Sequence, residues 1–336
     1  MQALEKLIKC ILAGITAVAI LCLIIIPYSL TPAHIDNPEG NTDYVWTASS
    51  LWCKMTEGIS YGKFDAKGYN NAEVIENPDI VVIGSSHTEA VNVMPSENYV
   101  AVLGQKFEGI YTTYNMGISD HFFLKLCKYL PKTAELNPAA KYIIIETYNV
   151  AVNQEDVDSL LNGTVAFSTN HNSGLIGILQ KLPFPRLVYQ QLNRGLMDML
   201  LGIEMEEESK PSQSMKETVP DERAYDGLFT YLEETMQESN AKLIIMYHPT
   251  GVLQEDGSAS FGENDPYLAM FDSKCQQYGI SFVDMTKPFM QMYDQEHKLP
   301  HGFITGKIGS GHINADGHAK IAEELAKCIA GLEGVA

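Results

Sequence analysis

Three hydrophobic patterns succeed one another along the chain. The first is a continuous run. Cys10 to Pro27 reads CILAGITAVAILCLIIIP, 18 residues without a charge, preceded by Lys6 and Lys9. A membrane-spanning helix needs roughly 20 apolar residues, and Leu7, Ile8, Tyr28 and Leu30 extend the run to that length. Basic residues before it and none just after it place the N-terminus in the cytoplasm and the rest of the chain outside. A cleaved signal peptide is the alternative, but its apolar stretch is usually ~7–15 residues and ends at a small-x-small site. Tyr28-Ser-Leu-Thr-Pro-Ala33 offers no such site. The expectation is a cytoplasmic tip and uncleaved anchor over residues 1–30, with residues 7–28 in the membrane.

The second pattern is a set of five short β-branched runs: Ile80-Val-Val-Ile83, Ile110-Tyr-Thr-Thr-Tyr114, Tyr142-Ile-Ile-Ile145, Leu243-Ile-Ile-Met246 and Ile280-Ser-Phe-Val283. Near-continuous apolar character predicts strands covered on both faces, the mark of a parallel sheet. The third pattern is helical spacing between these runs. Phe122, Phe123, Leu126, Cys127 and Leu130 precede a stop at Asn137-Pro138, and Leu228, Leu232 and Met236 precede the fourth run. Ile321, Leu325, Cys328, Ile329 and Leu332 form a last stripe, with Asn314 or Asp316 as its N-cap. Strand–helix alternation predicts an α/β domain over residues 77–333, with a doubly wound five-stranded parallel sheet. Its ligand site is expected at the carboxyl ends of the strands.

Two segments fall outside the alternation. Residues 31–76 are polar and rich in Gly, Asn and Asp, and read as a membrane-proximal segment. Within them, Asp65 to Asn71 lacks the spaced carboxylates of a calcium loop and reads as a turn. Residues 151–227 are far too long for a connection and form an insertion, apolar over Leu175–Leu201 with breaks at Pro183 and Pro185. The insertion is either a helical subdomain packed on the sheet or a hairpin that docks on the membrane or a membrane partner.

Composition narrows the classes. With 23 Lys plus Arg against 42 Asp plus Glu, a net charge of −19 argues against a nucleic-acid partner. An apolar fraction of 45% excludes a disordered chain. The six cysteines are scattered without a CxxC pair, which argues against a zinc ribbon or a redox motif. His312 and His318 have no carboxylate at ligand spacing, so neither a metal nor another cofactor is expected. Asp79 and Glu146 read as strand-edge residues.

Four pieces carry candidate chemistry, each just past a predicted strand or just before the last helix. Gly84-Ser85-Ser86-His87-Thr88-Glu89 follows the first strand, where a small-residue turn exposes a hydroxyl beside amides that stabilise an anion. Tyr114-Asn115-Met-Gly117-Ile-Ser119-Asp120 ends the second strand and Glu146-Thr-Tyr-Asn149 the third. Gly309-Ser-Gly-His312-Ile-Asn314-Ala-Asp-Gly317-His318 precedes the last helix, and its glycines suit a general base free to approach a serine. His87 and His248 could line the cleft, as could Gly117. His318 reads as a capping or packing residue.

Together these pieces resemble the SGNH (GDSL-like) hydrolase superfamily over about residues 75–332. Gly84-Ser85-Ser86 is similar to its first block, with Ser86 in the nucleophile position. Asn115-Met-Gly117-Ile-Ser119 is similar to the second block, Asn149 to the third, and His312 with Asn314 and Gly317 to the fifth. The resemblance implies a five-stranded parallel sheet between helices. It also implies a mechanism in which Ser86 attacks an acyl carbonyl and His312 takes its proton. The oxyanion would then be held by the Ser86 and Asp120 amides and the Asn149 side chain. Three positions depart from the pattern. Ser85 replaces the first-block Asp, as in membrane-anchored members that act in cell-envelope acyl transfer, and Asp120 replaces the usual oxyanion Gly. Gly309 stands where the family's catalytic Asp precedes the His by three residues. His312 then needs another carboxylate or a carbonyl to orient it.

With the anchor, the resemblance implies an extracytoplasmic O-acyltransferase, acetyl being the expected group, acting on a cell-surface polysaccharide. Its expected partner is an MBOAT-like multi-pass membrane O-acyltransferase that delivers acyl groups from the cytoplasm. A carbohydrate esterase, and a catalytically silent envelope assembly protein favoured by Gly309, are the alternatives.

Overall fold

The structure is a computed structural model, and it describes residues 2–20, 32–54, 57–165, 220–254, 257–262 and 265–334. The chain divides into two units: Met1–Ala33 with Leu51–Cys53 and Ser168–Thr218, and the remainder from His34 onward. In the first unit, helix α1 (Gln2–Ile20) buries none of its residues. Among the described residues no helix is long and apolar enough to cross a membrane. The uncharged run continues beyond Ile20 into residues 21–27, which lie outside the described residues, as does the whole apolar stretch Leu175–Leu201.

The second unit is built on five parallel strands: β1 (Ile80–Gly84), β2 (Thr113–Gly117), β3 (Tyr142–Thr147), β4 (Lys242–Tyr247) and β5 (Ser281–Asp284). Their order across the sheet is β5-β4-β3-β1-β2. In register, Gly84 lies opposite Gly117, and Thr147 and Asp284 both lie opposite Tyr247, so the carboxyl ends form one edge. The apolar runs mark four strands to within one or two residues. The second strand begins at Thr113, three residues later than expected, and Ile110 is 73% exposed. It then continues through Asn115, because that side chain is satisfied on both sides: Nδ2 donates to the Thr88 carbonyl and Oδ1 accepts from the Gly117 amide.

Alternation along each strand sends successive side chains to opposite faces. Ile80, Val82, Tyr142, Ile144, Ile244 and Met246 pack with helices α3 (Tyr99–Lys106), α8 (Thr286–Glu296) and α9 (Ala315–Leu332). On the other face lie α4 (Phe123–Leu136), α6 (Glu222–Gln237) and α7 (Pro266–Gln277), where Phe271 sits in ring contact with Phe123, Phe229 and Phe282. Helices cover both faces, as a doubly wound sheet requires. Helix α5 (Gln154–Leu161) follows β3, and the four-residue α2 (Ser86–Glu89) follows β1.

The segment read as membrane-proximal belongs to this unit over His34–Ser50 and from Lys54 onward. Trp46, Phe64 and Tyr69 are buried. The Tyr114 hydroxyl donates to Asp65 Oδ2 at 2.7 Å, and the Asn115 amide donates to Asn71 Oδ1 at 2.9 Å. Asp65 to Asn71 is a turn, closed by the Lys67 and Tyr69 amides on Asp65 Oδ1. Isolated aromatics without a period, set among turn formers, gave no sign of burial in the sequence.

Candidate active site

Ser86 is the first residue of α2, and Ser85 caps that helix by accepting the His87 amide at 3.3 Å. The helix lies tightly on the sheet edge. A β-carbon at Gly117 would stand 2.3 Å from the Glu89 amide nitrogen, so only glycine admits this approach. Gly117 is therefore a packing residue rather than part of a substrate wall.

His312 lies on strand β7 (Ile308–Ile313), which pairs antiparallel with β6 (His301–Gly302). The strand feeds directly into α9, whose N-cap Asn314 accepts the Gly317 amide and donates to the Leu299 and Gly302 carbonyls. That cap accounts for the Asn-x-x-Gly spacing and fixes where β7 ends. His312 Nε2 lies 2.9 Å from Ser86 Oγ, although 226 positions separate them in sequence.

The third member is one that sequence reasoning missed. Glu57 Oε2 lies 2.8 Å from His312 Nδ1, and Oε1 accepts the His312 backbone amide at 2.7 Å. The Nδ1 contact is off the N–H axis, a looseness common before substrate binds. Burial works against the charge on Glu57, but the hydrogen bond, charge and amide of His312 outweigh it and hold the carboxyl below its usual value. The loop is fastened by Asn92 Nδ2 on the Glu57 carbonyl and by the Gly58 amide on Thr305 Oγ1. Glu57 has a left-handed backbone, φ 55°, a conformation kept at sites where the surroundings impose it. Gly309 supplies no carboxylate, and Glu57 occupies the orienting position instead.

Of the other expected residues, His87 stands beside this line. His87, half-buried, has its ring 5.1 Å from that of His312 and 4.5 Å from that of His248. Burial, followed by the neighbouring imidazoles, pushes His87 well below the ordinary histidine range and His301 down to about 3. These rings therefore bring no positive charge at neutral pH. His248 is buried behind His87, with Nε2 2.9 Å from Glu146 Oε1, so it does not line an open cleft. Glu146 is likewise buried within the site, not a strand-edge marker. His318 packs face to face with Tyr99 and accepts its amide.

Asp120 is exposed, with φ 59°, in the loop after β2. The preceding Ser119 is anchored, since its hydroxyl donates to Glu89 at the end of α2 and its carbonyl accepts the Tyr44 hydroxyl. Asn149 lines a cleft of about 110 Å³ together with Ser85, Glu146, Tyr148, His121 and Phe122. Its Oδ1 accepts the Ala151 amide, which leaves Nδ2 as the group that could donate to a ligand. Among the described residues no group of His, Cys, Asp and Glu side chains could hold a metal ion.

No family model matches the chain, and no curated protein matches it. Similar solved structures include a catalytic mutant of an acetylxylan esterase from Geobacillus stearothermophilus, 14% identical, covering 76% of this chain and 95% of that one, TM-score 0.39. Another is an alpha/beta hydrolase enzyme from the metagenome of Lake Arreo, 14% identical over 78% of this chain and 97% of that one, TM-score 0.38. A third is a putative lipolytic protein of the G-D-S-L family from Desulfitobacterium hafniense, 11% identical over 75% and 99%, TM-score 0.36. At such scores the likeness carries no argument about function.

Proposed function

We propose that this chain is an SGNH-type serine acyl-transfer enzyme, anchored in a membrane with its domain outside the cytoplasm. In this reading it moves an acyl group, acetyl in the simplest case, onto a hydroxyl of a cell-surface polysaccharide. The observation that carries the chemistry is the line from Ser86 Oγ through His312 to Glu57, at 2.9 Å and 2.8 Å. Glu57 keeps a proton on Nδ1, so Nε2 is free to take the Ser86 proton as Oγ attacks the acyl carbonyl. The Ser86 and Asp120 amides and Asn149 Nδ2 serve as oxyanion donors. His312 returns its proton to the leaving oxygen, and an acyl-serine remains. A sugar hydroxyl, deprotonated by His312, then takes the acyl group and Ser86 recovers its proton.

Water in place of the sugar hydroxyl gives a carbohydrate esterase by the same steps. Transfer is favoured by the 18-residue uncharged run with its preceding lysines and by the Gly-Ser-Ser-His form of the first block. A domain facing outward cannot meet cytoplasmic acyl-CoA. Its donor must come through the membrane, the task of an MBOAT-like multi-pass O-acyltransferase partner.

A serine-directed fluorophosphonate should label the full chain on Ser86. Ser86→Ala should abolish the label and His312→Ala should slow it by at least ~10³-fold. A label that survives Ser86→Ala would overturn the choice of nucleophile. Deleting residues 1–30 should release the protein from membranes with Ser86 still labelled, while polysaccharide acylation in cells is lost. A full chain that alkaline carbonate strips from membranes would refute the anchor.

A further inference from the structure

Glu146 is a carboxylate with no exposed side-chain surface beneath the nucleophile turn, and the Ser86–His312–Glu57 chemistry does not consume it. A buried charge is costly unless hydrogen-bond donors surround it, so its partners indicate its purpose. Oε2 accepts the Ser85 amide at 2.6 Å, the Ser85 hydroxyl at 2.8 Å and the Thr88 hydroxyl at 3.1 Å. Oε1 faces His248 Nε2 at 2.9 Å. Thr88 Oγ1 in turn lies 2.7 Å from the Tyr99 hydroxyl, which can donate to it. Three of the four donors thus come from the residue before Ser86 and the residue two after it. Burial would raise the carboxyl, but the His248 hydrogen bond and charge, with the Ser85 donors, hold it below its usual value. Gly84 keeps the space open, since a β-carbon there would stand 1.9 Å from Thr88 Oγ1 and 2.7 Å from Glu146 Oε2.

We infer that Glu146 is a positioning residue: from the neighbouring strand it supplies the negative charge that clamps the turn carrying Ser86. Its reach to His248 ties the same charge to the imidazole behind His87. The inference rests on Ser86 being the nucleophile. It has a consequence that mere packing would not have. The Ser85–Glu146 contact needs one carboxylate, and that carboxylate can stand on either side, but neither both nor none will do. Two acids meeting at hydroxyl-to-carboxylate distance in a dry site cannot both ionise, and an amide facing four donors presents hydrogens to hydrogens.

The test is a charge relocation in the full chain, read by fluorophosphonate inactivation of Ser86 with the maximal rate and the half-saturating concentration determined separately. Glu146→Gln should lower the maximal rate about 10²-fold with little change in half-saturation, the loss expected for a misplaced reacting group. Ser85→Asp alone should be at least as slow. The double variant Ser85→Asp/Glu146→Gln should recover at least tenfold over either single change. Ser85→Ala, which removes one donor to Glu146 and the cap on the His87 amide but keeps the charge, should slow the maximal rate about threefold to tenfold with melting lowered by no more than the few degrees a lost cap costs, and it decides the matter if Glu146→Gln does not fold. A parental rate in Glu146→Gln, a folded double variant no faster than the slower single one, or an unchanged Ser85→Ala would each overturn the inference. A parent that never labels on Ser86 would instead overturn the nucleophile assignment above.

Discussion

Glu57→Gln should lower kcat for ester turnover by about 10³–10⁴-fold with little change in KM, the effect of losing the acid that fixes the histidine tautomer. Gln keeps the shape and can still accept the His312 backbone amide, now at 2.7 Å from Oε1. It cannot compensate the imidazolium that forms as Ser86 attacks. The fold should survive, because Glu57 is about a quarter exposed and is held mainly through its backbone. The pH dependence separates the variants further. A carboxyl held below its unfolded value contributes stability that is complete above ~4.3 and is lost as pH falls through the folded value. Parent and variant should therefore melt in parallel from neutrality down to about pH 5, and the parent should lose ground only below that. Pre-steady-state ester hydrolysis and thermal melts across pH would check both effects. A parental kcat would leave His312 with some other orienting group.

What was legible in the sequence was whatever lies next to a regular element. The parallel sheet could be read because buried strands leave unbroken β-branched runs, and Ser86 and His312 because each sits between such an element and a run of small residues. Glu57 left no such trace. It lies 255 positions from His312 on a loop with neither helical nor strand period, and it is brought home by backbone contacts to Thr305 and Asn92. Glu146 was visible but misread, since an acid closing an apolar strand looks like a solvent edge until its four donors are in place. Asp79 shows that the same reading can hold, because it does mark an edge, accepting the Thr112 amide and hydroxyl. Both acids missing from the sequence pattern have structural counterparts, Glu57 beside His312 and Glu146 beneath Ser85. A block-by-block match looks for each charge at its usual sequence position. The site needs it only at the right point in space.

Gly311→Ala should reproduce the loss expected of Glu57→Gln while leaving Glu57 and His312 themselves unchanged. Gly311 has φ +87°, and a β-carbon there would lie 2.1 Å from Glu57 Oε1 and 3.2 Å from its Cδ. Alanine must therefore drive the carboxylate away from His312, and kcat should fall by the same ~10³–10⁴-fold. Because both changes remove one interaction, the double variant Glu57→Gln/Gly311→Ala should be no slower than either single one, a fully non-additive pair. The left-handed backbone adds a stability cost of about 1–2 kcal/mol, so melting should fall by a few degrees while the fold persists. Gly309→Asp provides the contrast. It restores an acid three residues before His312, but Gly309 also has a left-handed backbone, φ +81°, and its β-carbon would point at Leu299 Cδ1, 3.3 Å away, and Leu253 Cβ, 3.8 Å away. The new carboxyl would enter among leucines, so Gly309→Asp should destabilise the domain and leave Glu57→Gln unrescued. Steady-state kinetics on the five variants decides between the positions. Recovery of activity in Glu57→Gln/Gly309→Asp would mean that an acid at 309 reaches His312 after all, and that Glu57 is one of two places from which the imidazole can be held.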